Sequence, residues 1–94
     1  MGNNEYHSQR LQGARDIIDR ARKFAEEAGI SFDDCQWDYG REIVERDNHT
    51  LTISAGEKAS KEDFSDEELA DFPGGSGTES TTAKLRKMIR KLTT

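Results

Sequence analysis

Cysteine, proline and histidine are scarce in this chain of 94 residues, which contains one cysteine, one proline and two histidines. A lone cysteine cannot build a disulfide framework, and no signal peptide is recognisable, so the sequence predicts a cytoplasmic protein. One cysteine and two scattered histidines are too few for a tetrahedral zinc site. No apolar run approaches the roughly 20 residues of a membrane span. The sequence therefore argues against zinc domains, disulfide scaffolds and membrane-spanning proteins.

Apolar residues are also in short supply, at 32% of the chain against 35% charged residues. A domain of this length buries only about 60–65% of the surface that its unfolded chain exposes. We therefore expect one thin core and an unfolding free energy of about 3–5 kcal/mol. Self-association, as a homo-oligomer, is an open alternative source of stability.

Charge is sorted along the chain into three blocks. Residues 1 to 25 carry a net charge of +2, residues 26 to 79 carry −12, and residues 80 to 94 carry +5 with no acid among them. Blocks of opposite sign can attract each other within one molecule or attract separate partners. The charge pattern is therefore the main sequence evidence on function.

The N-terminal part predicts a frayed segment, residues 1 to 7, and then an amphipathic helix from Ser8 to Ala28. Gly29 follows the helix at the position of a C-terminal cap. Apolar residues repeat at spacings of three and four and form a stripe for core packing, namely Leu11, Ala14, Ile18, Ala21, Ala25 and Ala28, with Ile17 and Phe24 to one side. The many alanines in this stripe allow another element to approach the helix closely.

The middle of the chain predicts an antiparallel β-hairpin over residues 35 to 54, closed by a loop at residues 47 to 49. This register places Ile43 opposite Ile53 and Glu45 opposite Leu51. One face of the hairpin then carries an apolar set that packs against the helix, namely Trp37, Tyr39, Ile43, Leu51 and Ile53. Residues 56 to 63 are too polar for an assignment but leave room for a short third strand.

A short acidic helix follows, with strong local signals. Ser65 and Glu68 have the spacing of a capping box, and the apolar residues that flank them, Phe64 and Leu69, form a hydrophobic staple. Pro73 ends this helix. Each of these signals is local in sequence, so the prediction does not depend on the rest of the fold.

The C-terminal part predicts a Gly/Ser-rich linker at residues 74 to 79, natural or introduced, and then a basic amphipathic helix over residues 80 to 94. The apolar face of the helix consists of Leu85, Met88, Ile89 and Leu92. A chain so short of apolar residues has few to spare, so we expect this face to dock on the domain.

These elements predict an α+β domain over residues 8 to 73. A long N-terminal helix packs on an antiparallel hairpin or small sheet, and the short acidic helix and the docked basic helix follow. We expect seven large side chains in the core: Leu11, Ile18, Phe24, Trp37, Ile43, Leu51 and Ile53.

No catalytic motif is present in the sequence. Cys35 with His49 or His7 as its base is the nearest approach to a nucleophile, but nothing fixes that pairing, and a partly buried strand cysteine is the favoured interpretation. We therefore predict a protein that is not an enzyme.

Two further patterns fall short of a ligand site. The acids Asp33, Asp34 and Asp38 lack the alternating oxygen ligands and glycine of a calcium loop. The glycines of residues 74 to 77 lack the lysine and hydroxyl residue of a phosphate-binding loop. We therefore predict no cofactor and no metal.

The charge blocks carry the function hypothesis, a non-enzymatic protein-interaction or regulatory module of the inhibitor or adaptor kind. It binds an unidentified protein partner through an acidic face, the basic helix, or both. The candidate partner-binding residues are Asp33, Asp34, Asp38, Asp63, Asp66, Glu67, Asp71, Lys84, Lys87, Arg90 and Lys91. The alternative is a nucleic-acid-binding module that uses the basic helix, which the net charge of −5 disfavours without excluding. Acids that serve only solubility remain a further alternative.

Overall fold

The computed structural model describes residues 2–44, 46–75 and 78–93. Its helices and strands, in chain order, are α1 (Gly2–Ala28), β1 (Asp34–Trp37), β2 (Asn48–Ala55), β3 (Lys58–Ser65), α2 (Asp66–Asp71) and α3 (Thr78–Thr93). Short 3-10 turns follow β1 and α2, at Asp38–Gly40 and Phe72–Gly74. The predicted α+β class, with a long N-terminal helix, a small antiparallel sheet, a short helix and a C-terminal basic helix, is confirmed.

The sheet is antiparallel, with β2 between β1 and β3. Cys35 lies opposite Ile53, and Trp37 lies opposite Leu51. Burial alternates along β2, where His49 and the two apolar residues are buried and the residues between them are partly exposed. This alternation indicates that the helices cover one face of the sheet and leave the other open.

The turn Asp38–Gly40 ends β1 after only four residues. The backbone angle φ is 51° at Asp38, 60° at Tyr39 and 82° at Gly40, a left-handed region that residues other than glycine rarely adopt. The turn therefore interrupts the strand alternation that the sequence prediction extended past Trp37. Tyr39 is exposed and is not part of the core, contrary to the prediction.

The predicted pairing of Ile43 with Ile53 is wrong, because the turn carries Ile43 into the loop between β1 and β2. From that loop Ile43 still packs against the core. The predicted partner of Leu51, Glu45, lies outside the described residues.

The tight hairpin of the fold is instead the one between β2 and β3. A two-residue loop, Gly56–Glu57, joins them, and Gly56 has a φ of 65°. The sequence left β3 unassigned because Phe64 is the only large apolar residue on its inward side. That side chain is fully buried and packs edge-on against Trp37, with ring centroids 5.4 Å apart.

Helix α1 begins at Gly2, six residues before the predicted start, so residues 2–7 of the segment predicted to be frayed are helical. The Arg10 guanidinium lies over the Tyr6 ring at 5.0 Å and bonds His7 Nδ1 at 2.9 Å, and both contacts favour the additional turns. The predicted glycine cap is confirmed, since Gly29 has a φ of 78° and its neighbour Ile30 donates its N–H to the Ala25 carbonyl at 2.9 Å.

The buried face of α1 is rotated from the predicted stripe. Ile17 and Phe24, expected at the side, are buried at its centre, while Leu11 and Ile18 are only partly buried. The cause is a close approach of α2, whose Leu69 carbonyl oxygen lies 1.6 Å from the place that a Cβ on residue 13 would occupy. Only glycine at this position allows the contact, and Gly13 lies outside the predicted stripe, next to its Ala14.

The capping box at the start of α2 is confirmed. Ser65 Oγ accepts the N–H of Glu68 at 3.0 Å, and the Glu68 carboxylate accepts the N–H of Ser65 at 2.9 Å. Phe64 and Leu69, the predicted staple, are fully buried. After α2, the chain forms the turn that contains Pro73, as the sequence predicted.

Helix α3 begins at Thr78, two residues before the predicted start, and its apolar face is buried against β3 and α1. Of the predicted linker, Gly74 belongs to a 3-10 turn and Gly75 has a φ of 85°, while Ser76 and Gly77 lie outside the described residues. Across the described ranges, none of the helices has the length and apolar character needed to cross a membrane.

Candidate functional site

A buried ionic network connects the N-terminal half of α1 to the sheet and to α2. We call it the buried network and define it as Arg10, Asp38, His49 and Asp66. His49 is completely buried, and each ring nitrogen faces a carboxylate oxygen, Nδ1 at 2.9 Å from Asp38 and Nε2 at 2.7 Å from Asp66. Carboxylates accept and do not donate, so an imidazole ring protonated on both nitrogens satisfies both contacts.

Arg10 closes the network from the helix side. Its Nε and Nη2 donate to the two carboxylate oxygens of Asp66, the latter at 2.8 Å, in the paired geometry that makes arginine–carboxylate bonds strong. Arg10 is 3% exposed. A buried arginine of this kind is a structural group, because its positive charge has no route to a ligand.

Asp38 also anchors the left-handed turn. Its second carboxylate oxygen accepts the Thr50 N–H at 3.0 Å, so the side chain bonds both His49 and the backbone of β2. These bonds offset the strain of positive φ at residues 38 and 39. The turn is therefore held by the network.

Asp66 is the hub of the network, and its pKa reflects this position. Burial tends to raise the pKa, but the hydrogen bonds and positive charges of Arg10 and His49 outweigh burial, so the pKa of Asp66 is lowered. The carboxylate is therefore ionised at neutral pH and fully engaged within the fold.

A second ionic cluster joins α3 to α2 and β3. Lys84 Nζ donates at 2.8 Å to Glu68 Oε1 and, at the same distance, to the Asp63 carbonyl. Burial tends to raise the pKa of Glu68, but Lys84 and the Ser65 N–H lower it overall. Lys87 lies 3.8 Å from Glu62. Two of the predicted partner-binding cations thus contact the protein's own acids.

The structure does not gather the seven predicted acids on one exposed face. Asp38 and Asp66 are inside the buried network. Asp33 accepts the Gly56 N–H beside the hairpin loop, and Asp63 accepts the Thr50 hydroxyl at 2.8 Å. The three others, Asp34, Glu67 and Asp71, are exposed and form no salt bridge among the described residues.

Two of those exposed acids belong to an acidic end of the molecule, which we define as Tyr6, Glu67 and Asp71. Burial raises the pKa of Tyr6, the charges of Asp66, Glu67 and Asp71 raise it further, and the charge of Arg10 opposes them. Tyr6 and Glu67 line the same surface depression. Tyr6 is 38% exposed. This end therefore combines negative charge with an accessible aromatic edge.

The opposite end of α1 carries a basic groove, which we call the terminal groove. It lies between the C-terminal turns of α1 and α3, has a volume of about 340 Å³, and is lined by Phe24, Glu27, Ala28, Arg86, Ile89, Arg90 and Thr93. The Arg86 guanidinium lies 4.3 Å from the centre of the Phe24 ring. Among the described residues, neither arginine of the groove forms a salt bridge.

The candidate nucleophile has no catalytic environment. Cys35 is partly buried, and burial, with little compensation from Arg22, raises the pKa of its thiol to about 11. Across the described part of the chain, no hydrogen bond joins this thiol to either imidazole, and both rings instead bond groups of the buried network. Within the described residues, no group of three histidine, cysteine or acidic side chains could hold a metal ion.

Sequence reasoning missed the residues that organise both ends. Arg10 and Asp66 are 56 positions apart, so no local pattern joins them. The sequence suggests His49 only as a base for Cys35. Arg86 is absent from the predicted binding residues, although its spacing of four from the predicted Arg90 places both on one helix face.

No family model matches the chain, and no curated protein or solved structure matches it significantly.

Proposed function

We propose that this protein is a non-enzymatic interaction module that binds a partner protein through a charged end. The observation that carries the proposal is the division of charged groups between two roles. The buried network engages His49 and two carboxylates in contacts within the fold, whereas Arg86 and Arg90 lie in an open groove with no carboxylate partner among the described residues.

The buried network supports a non-enzymatic role because its imidazole is shielded from any substrate. His49 is inaccessible, and both its nitrogens are occupied. A general base must come within hydrogen-bonding distance of the proton it removes, directly or through one water. The raised pKa of Cys35 likewise opposes thiolate chemistry at neutral pH.

The separation of charge supports a protein partner over a nucleic acid. Tyr6 and Phe24 are eighteen residues apart on one helix, which corresponds to about 27 Å. The acidic end and the terminal groove therefore lie far apart. A nucleic acid that entered the groove would meet only two arginines, and the net charge of −5 repels its phosphates at longer range.

A cytoplasmic location is part of the same proposal, supported by a cysteine content that allows no internal disulfide.

Charge reversal at each end tests this function. The full chain is immobilised as the wild type, as Arg86→Glu/Arg90→Glu and as Glu67→Lys/Asp71→Lys, and nuclease-treated extracts of the source cells are passed over each. Quantitative mass spectrometry should find a protein that the wild type retains and one of the end variants loses. Arg15→Glu/Arg20→Glu, with the same charge change on exposed positions of α1, should retain it.

Two outcomes would contradict the proposal. One is that no captured protein distinguishes the wild type from either end variant. The other is tight binding of a single-stranded oligonucleotide whose affinity falls steeply with salt, which would favour the nucleic-acid alternative.

A further inference from the structure

The terminal groove has an apolar side and a cationic side. Ala28 and the accessible edges of the largely buried Phe24 and Ile89 supply the apolar surface, and Arg86 and Arg90 supply the positive charge. Phenylalanine and arginine are both enriched at protein interfaces relative to the rest of the surface. The groove therefore has the chemistry of a peptide-binding surface.

The two arginines of the groove form no salt bridge within the described part of the fold. Lys84 and Lys87 on the same helix have the protein's own acids as partners, Glu68 and Glu62. Arg86 and Arg90 contact no carboxylate among the described residues. An external carboxylate would find them available without breaking an existing salt bridge.

The two arginines are also placed to act together. They are four residues apart on α3, so their side chains leave the same face of the helix about 6 Å apart at the Cβ atoms. The Phe24 ring holds the Arg86 guanidinium by a cation–π contact, which reduces the freedom lost when a ligand binds. A planar guanidinium can bind a carboxylate through two parallel hydrogen bonds.

We propose that the terminal groove binds an acidic segment of a partner protein, with carboxylates on Arg86 and Arg90 and an apolar side chain against Ala28 and the accessible edges of Phe24 and Ile89. Charge complementarity selects this occupant. The inference rests on the proposed function and adds to it the chemistry of the partner and the residues that contact it.

Glu27 limits the affinity of the groove. It lines the same groove but forms no salt bridge with either arginine. Its negative charge opposes that of an acidic ligand, so Glu27→Gln should tighten binding about two- to fivefold. An increase in affinity is a result that damage to the fold would not produce.

Fluorescence polarisation with a labelled peptide of repeated Glu-Glu-Leu triplets tests the proposal on the full chain. The wild type should bind it saturably, and Arg86→Gln/Arg90→Gln should weaken binding at least about tenfold through the loss of two charge-assisted contacts. Arg15→Gln/Arg20→Gln removes the same charge from exposed sites outside the groove and should change the affinity less than about twofold.

A second pair of variants avoids the arginines. Ala28→Glu places a carboxylate in the groove from an exposed position, and Ala83→Glu places one on the exposed side of α3 outside the lining. The first should weaken peptide binding at least about fivefold and the second less than about twofold. Circular dichroism confirms that each variant is folded before its affinity is compared.

Several outcomes would overturn the proposal. One is an absence of saturable binding of the acidic peptide. Another is an equal loss of peptide affinity in the groove variants and their controls. A third is tighter binding of a Lys-Lys-Leu peptide or oligouridylate than of the acidic peptide. If the acidic peptide fails while a captured protein still depends on one charged end, this inference fails and the proposed function survives. If both fail, the protein is not an interaction module of the kind described.

Discussion

The buried network and the terminal groove, at opposite ends of α1, hold arginine in opposite ways. Arg10 is buried, and two of its nitrogens donate to the carboxylate of Asp66. Arg86 and Arg90 are exposed beside Phe24 and have no carboxylate partner among the described residues. The difference shows that net charge along the chain does not distinguish structural charge from charge available for binding.

The largest expected effect comes from breaking the buried network at its hub. Asp66→Ala leaves Arg10 and His49 without their shared carboxylate, and removing one partner of a buried ion pair costs about 3–5 kcal/mol. A domain of this size has little more stability than that. Urea unfolding should therefore show a protein that is largely unfolded at room temperature.

Glu67→Ala is the matched control, since Glu67 is the next residue of α2 and is exposed. It should change the unfolding free energy by less than about 0.5 kcal/mol. Equal effects of the two substitutions would show that the network is not structural.

A smaller loss of stability is expected from a substitution at the place where α1 and α2 approach each other closely. Gly13→Ala places a Cβ against the Leu69 carbonyl and should cost about 2 kcal/mol through overpacking, although alanine normally stabilises a helix by about 1 kcal/mol. Gly74→Ala, with no heavy atom within 4 Å of the new Cβ, should be close to neutral. Thermal unfolding measures both, and a stabilised Gly13→Ala would mean that the two helices are not in contact there.

The features of α1, α2 and β1 show which parts of the fold the sequence can predict. The capping box of Ser65 and Glu68 was predictable because each partner lies within one helical turn. The small-residue seam of α1 was predictable as a seam, but its orientation depends on which element approaches it. The register of β1 was mispredicted because the left-handed turn that ends it is fixed by a bond from Asp38 to His49, eleven residues away.

The candidate site was harder to predict than the fold. Sequence reasoning identified the basic helix and Arg90, but the apolar side of the groove comes from Phe24 on a helix that is distant in sequence. The sequence prediction treats Asp38 and Asp66 as partner-binding acids because the side chains that they bond, His49 and Arg10, are not adjacent to them in sequence. Charge pairing across a fold is a tertiary property, and local patterns do not contain it.

Acid pH should lower the stability of the fold by a smaller amount than these substitutions. The pKa values of Asp66 and Glu68 are lowered in the folded protein, so both carboxyls stabilise the fold at neutral pH. That stability is lost as the pH falls below their ordinary values of 3.8 and 4.5 and through the lowered values of the folded state. The urea midpoint should therefore fall between pH 5 and pH 3.

The arginine variants show whether this acid sensitivity comes from the network. Arg10→Gln should reduce it, because the variant loses the partner that lowers the pKa of Asp66. Arg90→Gln should leave it unchanged. An identical pH profile in all three proteins would contradict the assigned role of Arg10.

The most direct measurement is the urea unfolding of Arg10→Gln and Arg90→Gln beside the wild type, with and without the Glu-Glu-Leu peptide. Without peptide, Arg10→Gln should lose about 2–3 kcal/mol and Arg90→Gln less than about 0.5 kcal/mol. Peptide at ten times its wild-type Kd should stabilise the wild type by about 1.4 kcal/mol and Arg90→Gln much less. Equal losses of stability in the two variants, or equal stabilisation of Arg90→Gln and the wild type by peptide, would contradict the division between structural and binding charge.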